Sequence, residues 1–294
     1  MEPLDLGSAW TWRDARARGA TRWQVTAGGE ELTRGLYLSH ADAASFRARC
    51  GAWTRLLPAD AAFGLESAAV LLGAHTEPPV EVQVVLRPRP VLPQRRRLSV
   101  AVRQLRSEDV VVSGGLRVTS GAQTLLDLAA GLPPAELVAV GDALLRRGVL
   151  TRQALDARLR RADRVRGVVR ARECAPLLDG RAMSRPESFL RYWLSTSDLP
   201  PPEPQLPVCD RRGRVVARAD LGWHRYRVAV EYEGRQHADA GQFGRDVDRY
   251  SFMAADGWLV LRFAGRHLSG PAVVVERCRG ALLSRGWRPG AQPC

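Results

Sequence analysis

The chain has 294 residues, 45% hydrophobic and 26% charged, with a net charge of +13. That length is enough to bury a real core and to divide into two or three parts. Cys50, Cys174, Cys209, Cys278 and Cys294 form no Cys-x-x-Cys pair, which argues against a disulfide framework or a structural zinc site. Charge interrupts every apolar run well short of a bilayer span, so a soluble, cytoplasmic protein is expected.

Lysine, isoleucine and asparagine are absent, so all 44 basic residues are arginine. Such an absence fits codon pressure from a GC-rich genome, and it removes lysine as a catalytic base. Whatever its origin, the positive field attracts polyanions, and a nucleic-acid partner is expected.

In chain order, Trp12 to Gly19 reads as a short arginine-rich helix, and Thr21 caps a second one beginning Arg22-Trp23-Gln24. A turn at Ala27-Gly28-Gly29 precedes the run Leu32-Thr33-Arg34-Gly35-Leu36-Tyr37-Leu38, read as a strand. Two short helices, a glycine turn and an Arg-Gly-Leu-Tyr strand resemble a winged helix-turn-helix, and the pattern is similar to the N-terminal domain of AbiEi-type antitoxins. The resemblance implies that Arg22 and Gln24 face the groove and Arg34 the phosphates. The competing reading is a small helical cap whose tryptophans are core.

The middle of the chain offers a helix over Phe63 to Leu72, a strand over Val80 to Leu86, and short strands at Val100 to Val102 and Asp109 to Val112. Thr119-Ser120 opens a capped helix, and Pro133-Pro134 begins another that runs to Arg147. This segment also resembles the one following the wing in AbiEi-like proteins. His75 and Asp127 are assigned no chemistry. Residues 152 to 185 hold ten arginines against four acids, and Arg95-Arg96-Arg97 is a second basic run. Either a phosphate-binding surface or a solvated connecting helix accounts for the longer run.

The C-terminal part opens at Ser184-Arg185-Pro186-Glu187, a helix start with Ser184 as cap and Glu187 near the positive end of the dipole. The Pro200-Pro201-Pro202 turn ends that helix. A strand near Leu206 to Cys209, two further strands, a helix from about Phe243 to Ala255, a strand over Trp258 to Phe263 and a helix over Ala272 to Leu283 follow. The expected boundaries are 1–58, 59–150, a basic linker at 151–183, and 184–294. The fold class is α/β, mixed α+β overall.

Val228, Val230 and Tyr232 alternate with Ala229, Glu231 and Glu233, so a strand presents both glutamates on one face. Asp220 precedes Glu231 by a hairpin's length. Converging carboxylates repel one another unless a cation lies between them, and oxygen ligands suit Mg²⁺ or Mn²⁺. An acid, a hairpin's length, then Glu-x-Glu-Gly-x-x-His resembles the PD-(D/E)XK nuclease superfamily, nearest its very-short-patch-repair-like branch, over roughly residues 184 to 285.

That resemblance implies a restriction-endonuclease-like αβββαβ core, with Asp220 and Glu231 as metal-binding acids and Glu187 as a further ligand from the first helix. Glu233 stands where many members carry lysine. His237 would assist proton transfer or hold a phosphate. Arg262 would offset phosphate charge, and Arg249 lies on the helix after the motif, where an ion pair with Asp246 is an alternative. The implied reaction is metal-assisted hydrolysis of DNA phosphodiesters. The rival expectation is a non-enzymatic DNA-binding regulator of antitoxin type, with a possible toxin partner and a degenerate nuclease domain. An RNA-processing enzyme would share the site.

Overall fold

A computed structural model describes residues 5–74, 76–210, 212–234 and 250–290. The chain is mixed α/β and divides into two compact units, Met1–Gly131 with Arg147–Val168, and Leu132–Arg146 with Val169–Cys294. The expected break at 150 thus falls within a stretch of the first unit.

The first unit begins with strand β1 (Ala9–Thr11), the helices Trp12–Ala17 and Arg22–Ala27, then β2 (Gly29–Thr33) and β3 (Leu36–Ser39). Strand order is β1-β3-β2, all antiparallel. Two short helices inserted between the first strand and a hairpin constitute a winged helix-turn-helix arrangement. Each helix is capped locally. The Thr11 hydroxyl accepts from the Asp14 N–H, while Thr21 and Gln24 form a full capping box. Trp10, Ala15, Ala20, Val25 and Tyr37 form the core beneath, with Trp10 stacked on Tyr37 at 6.1 Å between ring centroids.

The run from Leu32 to Leu38, expected as one strand, is instead the turn region of the β2–β3 hairpin. Gly35 takes φ +77°, a left-handed conformation that reverses the chain at little cost without a Cβ. The Glu31 carboxylate accepts from the Gly35 N–H at 3.0 Å and closes the turn.

A second sheet of the first unit has the order β6-β5-β4-β8-β7, formed by β4 (Ala62–Phe63), β5 (Val82–Leu86), β6 (Leu98–Val102), β7 (Val110–Ser113) and β8 (Leu116–Thr119). The helix expected from Phe63 starts at Leu65, because Phe63 pairs with Val84 on one side and Val118 on the other. Helix Gly121–Leu128 is buried along its whole length. Against it packs helix Arg152–Arg160. Arg158 Nε donates to Gln123 Oε1 at 2.6 Å, and Arg161 Nη2 donates to Asp109 Oδ1 at 2.8 Å. These two arginines of the long basic run therefore face inward as structural donors.

In the second unit, helix Pro134–Arg146 packs on helix Arg185–Ser195. The latter has Ser184 as cap and Pro186 in its first turn, as expected. The sheet has the order β12-β11-β10-β9, from β9 (Glu203–Cys209), β10 (Val215–Trp223), β11 (Val228–Glu233) and β12 (Leu259–Ala264). The first three strands are antiparallel and β12 runs parallel to β11.

Alternation along β11 sends Val228 and Val230 into a core with Leu190, Leu194, Phe263, Val274, Cys278 and Leu282. Ala229 enters a second core with Leu206, Val208, Met253 and Trp258. Period-two alternation is what gives one strand two cores. Residues 250–255 are helical, and helix Pro271–Ser284 closes the unit. Among the described residues the order helix, three strands, helical turn, strand, helix follows the sequence expectation.

Candidate functional site

On the helix-turn-helix, Arg22 and Arg34 are both exposed, Arg22 at the start of the second helix and Arg34 at the hairpin tip. Gln24 is placed differently from its expected groove-facing role. Its Oε1 accepts from the Thr21 N–H at 2.8 Å and the Thr21 hydroxyl at 3.0 Å, so its amide oxygen serves the cap. Sequence reasoning passed over Trp23, which is 70% exposed. An aromatic ring two residues after a cap reads as core unless the position of Val25 is known.

The basic run Arg95–Arg97 lies along the hairpin. Arg95 Nη1 donates to the Arg34 carbonyl at 3.3 Å, and Arg97 Nη1 to Glu30 Oε1 at 2.6 Å. Arg95 and Arg96 remain exposed. Three segments far apart in sequence thus contribute guanidinium groups to the first unit's surface: Arg22, Arg34 and the Arg95–Arg96 pair. Arginine at this density binds phosphate as a charge and as a bidentate donor.

The second locale is a polar row across the sheet of the second unit. Glu231 pairs with Arg262 in the β11–β12 register. Leu221 pairs with Val230, and continuing that register places Asp220 beside Glu231. Leu206 pairs with Ala219 and Pro204 with Leu221, which places Gln205 beside Asp220. The row Gln205, Asp220, Glu231, Arg262 therefore crosses all four strands.

Each carboxylate near this row already has partners. Asp220 Oδ2 accepts from the Tyr232 N–H at 2.8 Å, where β10 and β11 part after their last ladder pair. Glu231 is buried and its Oε2 accepts from the Tyr250 hydroxyl at 2.5 Å; Glu233 Oε1 lies 3.3 Å from the same hydroxyl. Arg262 forms an ion pair with Glu233 and stacks over the Tyr250 ring at 4.5 Å.

Glu187 is buried too. It accepts from the Ser184 hydroxyl at 2.8 Å and the Met183 N–H at 2.9 Å, and Gln205 Nε2 reaches it at 3.2 Å. It serves the helix start and ties that helix to β9. Among the described residues no group of three or more His, Cys, Asp and Glu side chains is arranged to hold a metal ion. The expected ligand set of Asp220, Glu231 and Glu187 is thus drawn toward one sheet and occupied by protein donors. His237 and Arg249, like His75 and Asp246, lie outside the described residues.

Gln205 and Tyr250 are contributors that the sequence did not announce. Gln205 has φ +52°, a left-handed conformation inside a strand that no periodicity signals.

Comparison with known proteins gives the following similarities. Residues 60–179 match the AbiEi antitoxin C-terminal domain. The uncharacterized proteins Rv2248 and MT2308 of two Mycobacterium tuberculosis strains are each 33% identical over 227 residues, covering 75% of this chain and 78% of the relative. The chain belongs to the family of these two proteins. Its AbiEi-type segment runs through parts of both units, since helix Pro134–Arg146 belongs to the second. The crystal structure of the RV2827C protein from Mycobacterium tuberculosis is similar with a TM-score of 0.42 and 17% identity, covering 63% of this chain and 76% of that one. No helix among the described residues is long and apolar enough to cross a membrane.

Proposed function

We propose that this protein is a DNA-binding regulator of antitoxin type, in which the winged helix-turn-helix engages duplex DNA. The observation that carries the reading is the β1-β3-β2 sheet with two short helices inserted before the hairpin, whose second helix exposes Arg22 and whose hairpin tip exposes Arg34. The AbiEi antitoxin match and the net charge of +13 support it. A toxin partner and a cytoplasmic location belong to the same reading.

In that role Arg34 and the neighbouring Arg95 and Arg96 contact the phosphate backbone and set the register of the helix in the groove. The test is selection of duplexes from a random-sequence library by the full-length chain. Enrichment of a discrete sequence, bound equally well with and without chelator, is expected. Failure to retain any duplex at low salt removes the reading.

A second reading, a Mg²⁺- or Mn²⁺-dependent DNA endonuclease, is motivated by the register that sets Asp220 beside Glu231. Among the described residues the Tyr250 hydroxyl holds one Glu231 oxygen and Arg262 pairs with Glu233, so an ion at Asp220 and Glu231 would bind beside these contacts. Calorimetry with either ion, with and without DNA, separates the two readings. Binding by the native chain that vanishes when Asp220 and Glu231 are both changed to alanine favours the nuclease; no binding favours the regulator.

A further inference from the structure

The outward face of helix Arg22–Ala27 is apolar. Val25 is completely buried beneath the helix. At about 100° per residue, Trp23 and Ala27 stand opposite Val25. Both are exposed, as is Thr26 beside them.

Two polar groups of this helix, the Gln24 oxygen and the Thr26 hydroxyl, are engaged locally. Gln24 Oε1 is held by Thr21. The Thr26 hydroxyl turns back to the carbonyls of Arg22 at 3.1 Å and Trp23 at 3.3 Å. The apolar groups left to meet a partner are the Trp23 ring, the Thr26 methyl and the Ala27 methyl, with the Arg22 guanidinium exposed at the start of the helix. Arg22 on the same helix is exposed, as are Arg13, Arg16, Arg18 and Arg34 elsewhere in the N-terminal part of the first unit, a positive charge that suits a polyanion.

Base edges in the major groove present donors and acceptors at nearly every position, with one apolar feature, the 5-methyl group of thymine. Trp23, Thr26 and Ala27 are the apolar groups this helix exposes, and that methyl is the groove feature they match. We propose that Trp23, with Thr26 and Ala27, reads thymine methyl groups in the major groove, so that the chain selects thymine-containing duplex sites by apolar contact. The inference rests on the DNA-binding reading above.

Replacing thymine by deoxyuridine removes the methyl group and leaves base pairing unchanged. With the best duplex from the library selection, uracil substitution is expected to weaken binding by the native chain about tenfold, the effect of one or two methyl-sized apolar contacts. Trp23→Ala is expected to bind the thymine and uracil duplexes alike, at the native chain's affinity for the uracil form. Its salt dependence should match that of the native chain, because no phosphate contact is lost. Trp23→Phe should keep part of the preference. The exposed ring makes a folding defect in these variants unexpected, and an unchanged near-ultraviolet circular dichroism spectrum of the core checks it.

Equal affinity of the native chain for the two duplexes overturns the proposal, as does a thymine preference that survives in Trp23→Ala. Loss of a protein complex in Trp23→Ala with DNA binding untouched also overturns it and assigns the face to a protein. No binding to any duplex sinks the DNA-binding reading itself, a result distinct from selective binding that ignores the methyl.

Discussion

Arg191 Nη2 donates to Asp142 Oδ2 at 2.6 Å, with both residues buried, and joins the mid-chain helix Pro134–Arg146 to helix Arg185–Ser195. The Ser188 hydroxyl donates to the same oxygen at 2.7 Å, and the Asp179 N–H donates to the other at 2.6 Å. Burial pushes the Asp142 carboxyl above its usual range, and Arg191 opposes that push. Removing one member strands its partner in a dry site. Arg191→Ala is expected to cost about 3–5 kcal/mol in urea denaturation, and the double replacement Asp142→Leu with Arg191→Met recovers only part of it, because the Asp179 N–H loses its acceptor.

Asp109 supplies a pH dependence of known sign. Burial raises its carboxyl, but Arg161, the Arg106 N–H and Arg158 together outweigh burial and hold it below the ordinary range. A carboxyl depressed in the folded state contributes stability above its unfolded pKa of about 3.9, and that contribution disappears as pH falls through the lower folded value. Denaturant midpoints followed from neutral pH downward should therefore fall in acid, and Asp109→Asn should flatten this part of the profile.

Gly29 pairs with Ser39 at the open end of the wing hairpin. A Cβ there would meet the Leu38 carbonyl oxygen at 2.2 Å and the Trp10 ring at 2.8 Å. Neither neighbour yields easily, since one is ladder backbone and the other is stacked on Tyr37. Gly29→Ala is expected to lower stability by about 1–3 kcal/mol, read as a fall in Tm. An unchanged Tm would show that the hairpin shifts freely.

The arginines on the first unit's surface should act additively on salt dependence. For duplex DNA, each phosphate contact removed lowers the slope of log affinity against log salt by about one. Arg34→Ala and Arg96→Ala each predict such a loss, with affinity weakened to a similar degree on all sequences. Slopes unchanged in both variants would place the DNA path elsewhere.

Much of the element inventory was legible because its causes are local. Thr21 followed three residues later by Gln24, and Ser184 followed by Glu187, announce helix starts through hydrogen bonds made within one turn. The alternation of Val228 and Val230 with Ala229 and Glu231 identifies β11 with both faces covered. The nearness of Asp220 to Glu231 was also readable, since a hairpin of given length sets its own register.

Where the sequence was silent, the cause was a partner distant in the chain. The exposure of Trp23 depends on which side of the helix Val25 buries. The contact of Gln205 with Glu187 was not readable, since it comes from a strand residue in a left-handed conformation. Arg158 and Arg161 belonged by composition to a solvent-facing run, and only Asp109 and Gln123, more than thirty residues earlier, turn them inward.

Local propensity, capping and alternation were thus sufficient for the helices, most strands, the mixed α/β class and the basic character of the surface. Unit membership and the state of each carboxylate were set by packing. Helix Pro134–Arg146 joins the second unit because Asp142 finds Arg191, and Glu231 is held by Tyr250 because two elements pack on one face of the sheet. Those outcomes depend on desolvation and on partners brought close by folding, and neither is encoded in the spacing of residues along a chain.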